Sequence, residues 1–242
     1  MIDADDPIVG ELLASTLGLV LEAGGRVNPG IRLVANDGQL HVECAAAEGS
    51  LVSVPESAFI RVDRFEFSNV DDRIVIDTVP EDATDTELEL TFTTVALHNQ
   101  CDKLSWMRRT HPSLRPDLDP NVIDAVREII PSFRDHEYDL VEIFWSNRCF
   151  KIDLGDGPER VLVPIVDLLN HHTQGAIGDW ASHTFSVGVR RPFGTNECAL
   201  DYGMDRDALQ FAVVYGFKDT SNTKQKVDPS LLAALLSPPM VP

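Results

Sequence analysis

A β-rich α+β fold is what this sequence predicts, and three observations lead to it. Short apolar segments at 31–35, 39–46 and 51–55 follow one another with only Gly30, Asp37-Gly38 and Glu48-Gly49 as punctuation, so they read as neighbouring strands without a helical crossover. Capped stretches of helical periodicity are few and lie outside that block. With 242 residues, 43% of them hydrophobic, the chain can bury a sizeable core. It is read as a single domain over 1–242, with a shortened helical insertion at about 84–131 and a short tail at 218–242.

Asp6-Pro7 opens the first helix, the carboxylate accepting first-turn amides and the proline fitting the first helical position. Ile8, Leu12, Leu13, Leu17, Val20 and Leu21 form its apolar face, and Gly24-Gly25 ends it. After the strand block, 58–67 and 73–79 add apolar pieces around a turn at Asp71-Asp72. Thr84 followed by Glu87 is a capping-box pattern, and Leu88, Phe92, Val95 and Ala96 predict the buried face of a helix. Proline and mixed charge across 105–119 predict an irregular connection. Asp119-Pro120 repeats the cap, opening a helix through Val122, Val126 and Ile129 that stops before Pro131. Residues 161–166 return to strand, with Pro164 marking an edge or a strand end, and 184–189 alternates as a strand. The segment 196–202 leads into a helix capped by Asp205 and stopped by Gly216, and Asp228-Pro229 starts a last short helix.

Twenty basic residues against thirty-nine acidic give a formal charge of −19. That field disfavours a phosphate backbone or an anionic bilayer, so no nucleic acid and no membrane is expected, while a basic peptide or a cationic small molecule is drawn in. The opening MIDADDPIV has no positive n-region, and no stretch approaches the roughly eighteen apolar residues of a span, so a cytoplasmic setting is expected. Cys44, Cys101, Cys149 and Cys198 are isolated and show no zinc or disulfide spacing.

The residues that carry chemistry lie in 161–217. VLVPIVDLLNHH at 161–172 sets Asp167, Asn170, His171 and His172 directly after an apolar run, where a strand can fix the backbone and a loop expose the side chain. Asp167 with the two histidines admits a metal reading, but adjacent histidines need not converge and no third ligand is marked, so capping and internal hydrogen bonding is the plainer reading. ECALDYG at 197–203 and VVYGF at 213–217 place Tyr202 and Tyr215 before glycines, where either phenol can serve a ligand or fill a core. Phosphate loops, HExxH, EF-hand loops and nucleophile elbows are absent.

Taken in order, VLVPIVDLLNHH, ECALDYG and FAVVYGF resemble the C-terminal half of a SET domain, of the subgroup typified by the Rubisco large-subunit lysine methyltransferase. SNRCF at 146–150, LVSVP at 51–55 and LEAGG at 21–25 extend the resemblance upstream. It implies several short curved sheets with a knot-like C-terminal threading, and S-adenosyl-L-methionine as cofactor. The implied activity is methyl transfer to an amine, either a protein lysine, a peptide or a small molecule. By resemblance, Asn170 and His171 contact the cofactor and Arg148 meets its carboxylate. Gly30, Ile31 and Arg32 form the early glycine segment beside it, and Tyr202 lies by the transferred methyl as the catalytic residue. Tyr215 lines the cofactor pocket and, with Tyr202 and Phe217, the substrate channel; no metal is implied. The chain departs from that pattern in NPGIRLVA, which lacks the usual arginine-glycine or leucine-glycine step before the strand, and at His172, where a small residue, most often serine, is usual. Only 25 residues follow Phe217, so a helical docking domain is not expected within the sequence.

Overall fold

In a computed structural model, the described residues are 1–131, 133–134, 139–192, 195–202, 208–215 and 228–237. They form β1 (Ile2–Ala4), α1 (Pro7–Glu22), β2 (Arg26–Val27), β3 (Ile31–Asn36), β4 (Gln39–Cys44), β5 (Ser50–Pro55), β6 (Ile60–Arg61), β7 (Glu66–Val70) and β8 (Arg73–Thr78). Four helices follow: α2 (Asp85–Gln100), α3 (Lys103–Thr110), α4 (Pro120–Ile129) and α5 (Leu140–Ser146). The chain then returns to strands with β9 (Phe150–Asp153), β10 (Pro158–Leu162), β11 (Asn170–Ala176), β12 (Asp179–Ala181), β13 (Thr184–Gly188) and β14 (Glu197–Leu200). It ends in α6 (Ala208–Tyr215) and α7 (Pro229–Leu236). This is the β-rich α+β class the sequence predicts. The expected threading after residue 202 falls largely outside the described residues.

Two compact units are formed, one from 1–103 and 148–202, the other from 104–147 and 203–242. In the first, the longest sheet has the order β1-β3-β4-β14-β11. The hairpin β3-β4 pairs Ile31 with Cys44 through to Asn36 with Gln39, its reversal supplied by Asp37 and Gly38 at positive φ, as the Asp-Gly pair predicts. Three smaller sheets run β12-β13-β5-β2, β6-β10-β9 and β7-β8. Asp6 caps α1 by accepting from Ile8 N–H at 2.8 Å, and Thr84 caps α2 by accepting from Glu87 N–H at 3.1 Å.

Two helix expectations are corrected. The buried face of α2 is Glu87, Leu90, Thr91, Thr94, Val95, Leu97 and His98, while Phe92 is 52% exposed. Apolar spacing pointed to the neighbouring face because this helix buries hydroxyls and a histidine; Thr91 Oγ1 donates to Glu87 O at 2.7 Å and His98 meets Asp167. Residues 105–110, read as irregular, continue α3; Thr110 Oγ1 returns to Trp106 O at 2.9 Å, and the prolines at 112 and 116 act only after the helix has ended.

In the second unit Leu118, Val126, Phe133, Leu209, Ala212, Leu232 and Leu235 pack together, residues of α4, α6 and α7 joined by two from the connecting segments. Asp119 and Asp228 cap α4 and α7, each followed by proline at the first helical position. The helices expected over 84–131 are thus present, α2 in the first unit and α4 in the second.

Pro164 lies beyond the end of β10, which is the central strand of its sheet, so the strand-end reading holds and the edge reading does not. The later approach of β11 to β14 depends on Gly175, where a Cβ would stand 2.6 Å from the Leu200 carbonyl carbon and 2.8 Å from Ala199 O. Gly175→Ala is therefore expected to lower stability by about 1–3 kcal/mol, as overpacking against backbone does, and urea unfolding measures it.

Candidate functional site

The chain leaves β10 through a tight turn at Ile165, a buried β-branched residue held at φ 71°. Such a conformation persists only where surrounding structure enforces it. Here Leu168 N–H donates to Ile165 O at 3.2 Å, Asp167 N–H to Val163 O at 3.1 Å, and the flanking apolar side chains are buried. The turn delivers Asn170 and His171 to the start of β11.

Arg148, two residues before β9, reaches the turn from its other side. Its Nη1 donates to Asp167 O at 3.1 Å. The Asp167 carboxylate faces His98 of α2, Nε2 to Oδ2 3.4 Å, with the two side chains 0% and 4% exposed. Asp167 is thus held through its backbone by an arginine and through its side chain by a buried histidine. Burial, then the charge of Arg148, pushes His98 down to about 4. Lys103 Nζ donates to Gly38 O at 2.8 Å, and burial followed by Arg148 brings it down to about 8.

β11 runs parallel to β14, with Asn170 opposite Ala199 and His171 opposite Leu200. This register brings together two motifs some thirty positions apart in sequence. Asn170 Nδ2 donates to Glu197 Oε1 at 2.7 Å. His171 Nδ1 accepts from Tyr202 N–H at 3.1 Å, which places the imidazole proton of the neutral ring on Nε2. The two rings lie 5.1 Å apart between centroids at 47°. Tyr202 Oη donates to Leu169 O at 2.5 Å, fixing the phenol against the residue before Asn170.

Arg148, Asn170, His171 and Tyr202 are therefore gathered around one turn. Gly30, Ile31 and Arg32 line a cavity of about 460 Å3 at the near end of the same sheet, together with Glu43, Arg191 and Asn196. Asn196 adjoins the Glu197 that holds Asn170, and its carbonyl accepts from Cys44 N–H at 3.2 Å, so the cavity and the turn share the start of β14. A side chain at Gly30 would approach Asn28 Oδ1 and Ala46 N at 3.3 Å, which suits the bare backbone found there. Arg32 donates to Glu43 through Nε at 2.9 Å and to Asp3 through Nη1 at 3.0 Å. Its guanidinium hydrogen-bonded to Glu43 holds that carboxyl below the usual range. The charge of Arg32 is thus matched by the protein itself.

Tyr215 belongs to the second unit, where it stacks on Phe211 with centroids 5.6 Å apart. Phe217 lies outside the described residues. His172 Nδ1 accepts from Gln174 N–H at 3.0 Å while His171 turns to Tyr202, so the adjacent histidines have different partners. Among the described residues no three His, Cys, Asp or Glu side chains cluster as metal ligands. His98 and Lys103 escaped sequence reading. The signal that could have found His98 is the polar stripe Thr91, Thr94 and His98, which recurs at helical spacing.

The class these observations define is a strand-rich α+β protein whose widely separated motifs meet on adjacent parallel strands. No protein-family model matches the chain, and no curated protein matches it. Among solved structures it is similar to the SET domain of LSMT bound to lysine and AdoHcy, at 13% identity and a TM-score of 0.44, covering 86% of this chain and 57% of that one. The same domain bound to methyllysine and AdoHcy gives 15% identity, a TM-score of 0.44 and the same coverages of 86% and 57%. Rubisco LSMT bound to AdoMet gives 12% identity and a TM-score of 0.45, covering 91% of this chain and 61% of that one. The chain spans about three fifths of the length of these structures. Likeness at this level assigns no role to any residue.

His98 ties stability to acidity. Its value falls from 6.5 unfolded to about 4 folded, so the unfolded chain binds the extra proton between those values. Stability from this group is present above pH ~6.5 and is lost as pH falls towards ~4, amounting to about 3 kcal/mol. His98→Gln, which keeps a donor to Asp167 but does not titrate, is expected to flatten that limb of the stability–pH curve in denaturant titrations.

Proposed function

We propose that the chain is a SET-like methyltransferase dependent on S-adenosyl-L-methionine, transferring a methyl group to an amine of a protein lysine, a basic peptide or a small molecule. The observation that carries this reading is the pairing of β11 with β14, which gathers Arg148, Asn170, His171 and Tyr202 around the turn at Asp167. These are the residues the motif resemblance singles out.

The groups present suit such a cofactor. An amide, an imidazole and a guanidinium lie around one turn, next to a cavity edged by the bare backbone of Gly30. Asn170 and His171 would hold the cofactor, with Arg148 positioned for its carboxylate and the backbone of Gly30, Ile31 and Arg32 along its amino-acid end. Bound there, the cofactor supplies an electrophilic methyl on a sulfonium. What remains for the protein is alignment and exclusion of water. Tyr202 suits alignment: its proton is committed to Leu169 O, so its oxygen meets an incoming amine as an acceptor. Tyr215 and Phe217 are assigned to a substrate channel by the motif resemblance alone. The charge of −19 concentrates cationic amines near the surface and disfavours nucleic acid, in keeping with a cytoplasmic enzyme acting on a basic substrate.

Calorimetry with S-adenosylmethionine and its demethylated product tests the reading directly, and saturable binding of both is expected. Asn170→Ala should weaken that binding by about tenfold. Tyr202→Phe should leave it nearly unchanged while slowing methyl transfer by about ten- to a hundredfold. A folded protein that binds neither compound removes the reading, and equal losses of affinity and rate in Tyr202→Phe would make that tyrosine structural.

A further inference from the structure

The cavity of about 460 Å3 edged by Gly30 has on its wall a cation that the described protein does not neutralise. Among the described residues, the one hydrogen bond of the Arg191 guanidinium runs from Nη1 to Cys44 O at 3.4 Å, and no carboxylate lies within ion-pair distance. In a chain with thirty-nine acidic residues this is a departure. Arg32 is matched by Glu43 and Asp3, Arg61 by Glu56, Arg64 by Glu87 and Arg160 by Asp63. The sequence around Arg191 explains the difference, since no acidic residue occurs between Asp179 and Glu197, and Glu197 Oε1 is engaged by Asn170 Nδ2 at 2.7 Å.

The backbone holds this arginine at the cavity. Val189 N–H donates to Gly49 O at 2.8 Å, Ala199 N–H to Arg190 O at 3.0 Å and Cys44 N–H to Asn196 O at 3.2 Å, so the 190–196 segment is tied at both ends. The opposite wall cannot take the same role. Gly30 N–H is spent on Asn28 Oδ1 at 2.9 Å and Ile31 N–H on Asn28 O at 2.9 Å, so these amides do not receive an anion. Arg148, which the resemblance sets towards a carboxylate, donates to Asp167 O and is not among the residues lining this cavity. Most N–H donors of Arg191 remain for a ligand, in the planar fork that fits a carboxylate. Glu43, held ionised by Arg32, supplies the other sign on the same wall.

We infer that Arg191 receives the carboxylate of an α-amino-acid group in this cavity, with the ammonium of that group towards Glu43. The subsite rests on the methyltransferase reading, in which the group is the amino-acid end of S-adenosylmethionine, and it names a specificity residue outside the three motifs.

Calorimetry on the intact chain compares S-adenosylhomocysteine with 5′-methylthioadenosine, which keeps the nucleoside and the thioether but lacks the amino-acid group. The first is expected to bind the wild-type chain more tightly. Arg191→Gln should weaken S-adenosylhomocysteine by about tenfold and change 5′-methylthioadenosine by less than about twofold, while Arg191→Lys should recover part of the loss. An unchanged affinity for S-adenosylhomocysteine in Arg191→Gln overturns the subsite and leaves the methyltransferase reading standing. Equal losses for the two compounds also overturn it, because general damage to the fold does not discriminate between them. A folded wild-type chain that binds neither compound removes the subsite together with the reading it rests on.

Discussion

The parallel pairing of β11 with β14 is the constraint on which the rest of the candidate site depends. Parallel strands need a connection that crosses over, and here the intervening chain forms β12 and β13 before returning. Leu200 is opposite both His171 and Ala176, so 171–176 bows away from β14 and comes back to it. Gly175 permits that return, and Asp201 N–H donating to Ala176 O at 2.8 Å closes it. Tyr202 follows at once, which is why its amide and its hydroxyl both find acceptors in the 169–171 segment.

The neighbouring small sheets keep this arrangement in place. β5 lies between β13 and β2, so the β12-β13 hairpin that follows the bow is anchored to the early strand block through β13. β10 sits between β6 and β9, and from its end the chain enters the Ile165 turn. A strained φ at a buried isoleucine costs free energy of order 1–3 kcal/mol, and the enclosing strands supply the rigidity that sustains it.

Much of this was legible in the sequence because the signals were local. Asp6-Pro7, Thr84-Glu87, Asp119-Pro120 and Asp228-Pro229 all mark real helix starts, since a cap and a proline act within one turn. The Asp37-Gly38 reversal was visible for the same reason. Long-range features were not. Apolar spacing could not show that α2 buries Thr91, Thr94 and His98, because Thr91 turns to the helix backbone and the partner of His98, Asp167, lies in a distant segment. Nor could it foretell that the cation at Arg32 is matched by Glu43, a cross-strand neighbour that exists only once β3 and β4 pair. Motif resemblance brought Asn170, His171, Tyr202 and Arg148 together, and the strand register supplies a physical reason for their proximity.

The buried polar groups behind the turn form a balanced set rather than a collection of pairs. Asp167 contributes a carboxylate that is nearly inaccessible, and Arg148 and Lys103 contribute positive charge to the same region. A protonated His98 would add a further cation where water cannot screen it, and burial together with Arg148 keeps that proton off. The neutral ring must then carry its one proton on Nε2 to serve Asp167, so its tautomer is fixed by the carboxylate it supports. Because the Asp167 carbonyl also accepts a hydrogen bond from Arg148, this one residue links α2 and the arginine to the turn that leads to Asn170. A helix whose cap reads as an ordinary local signal thereby helps to set the position of the turn that any ligand of this site would meet.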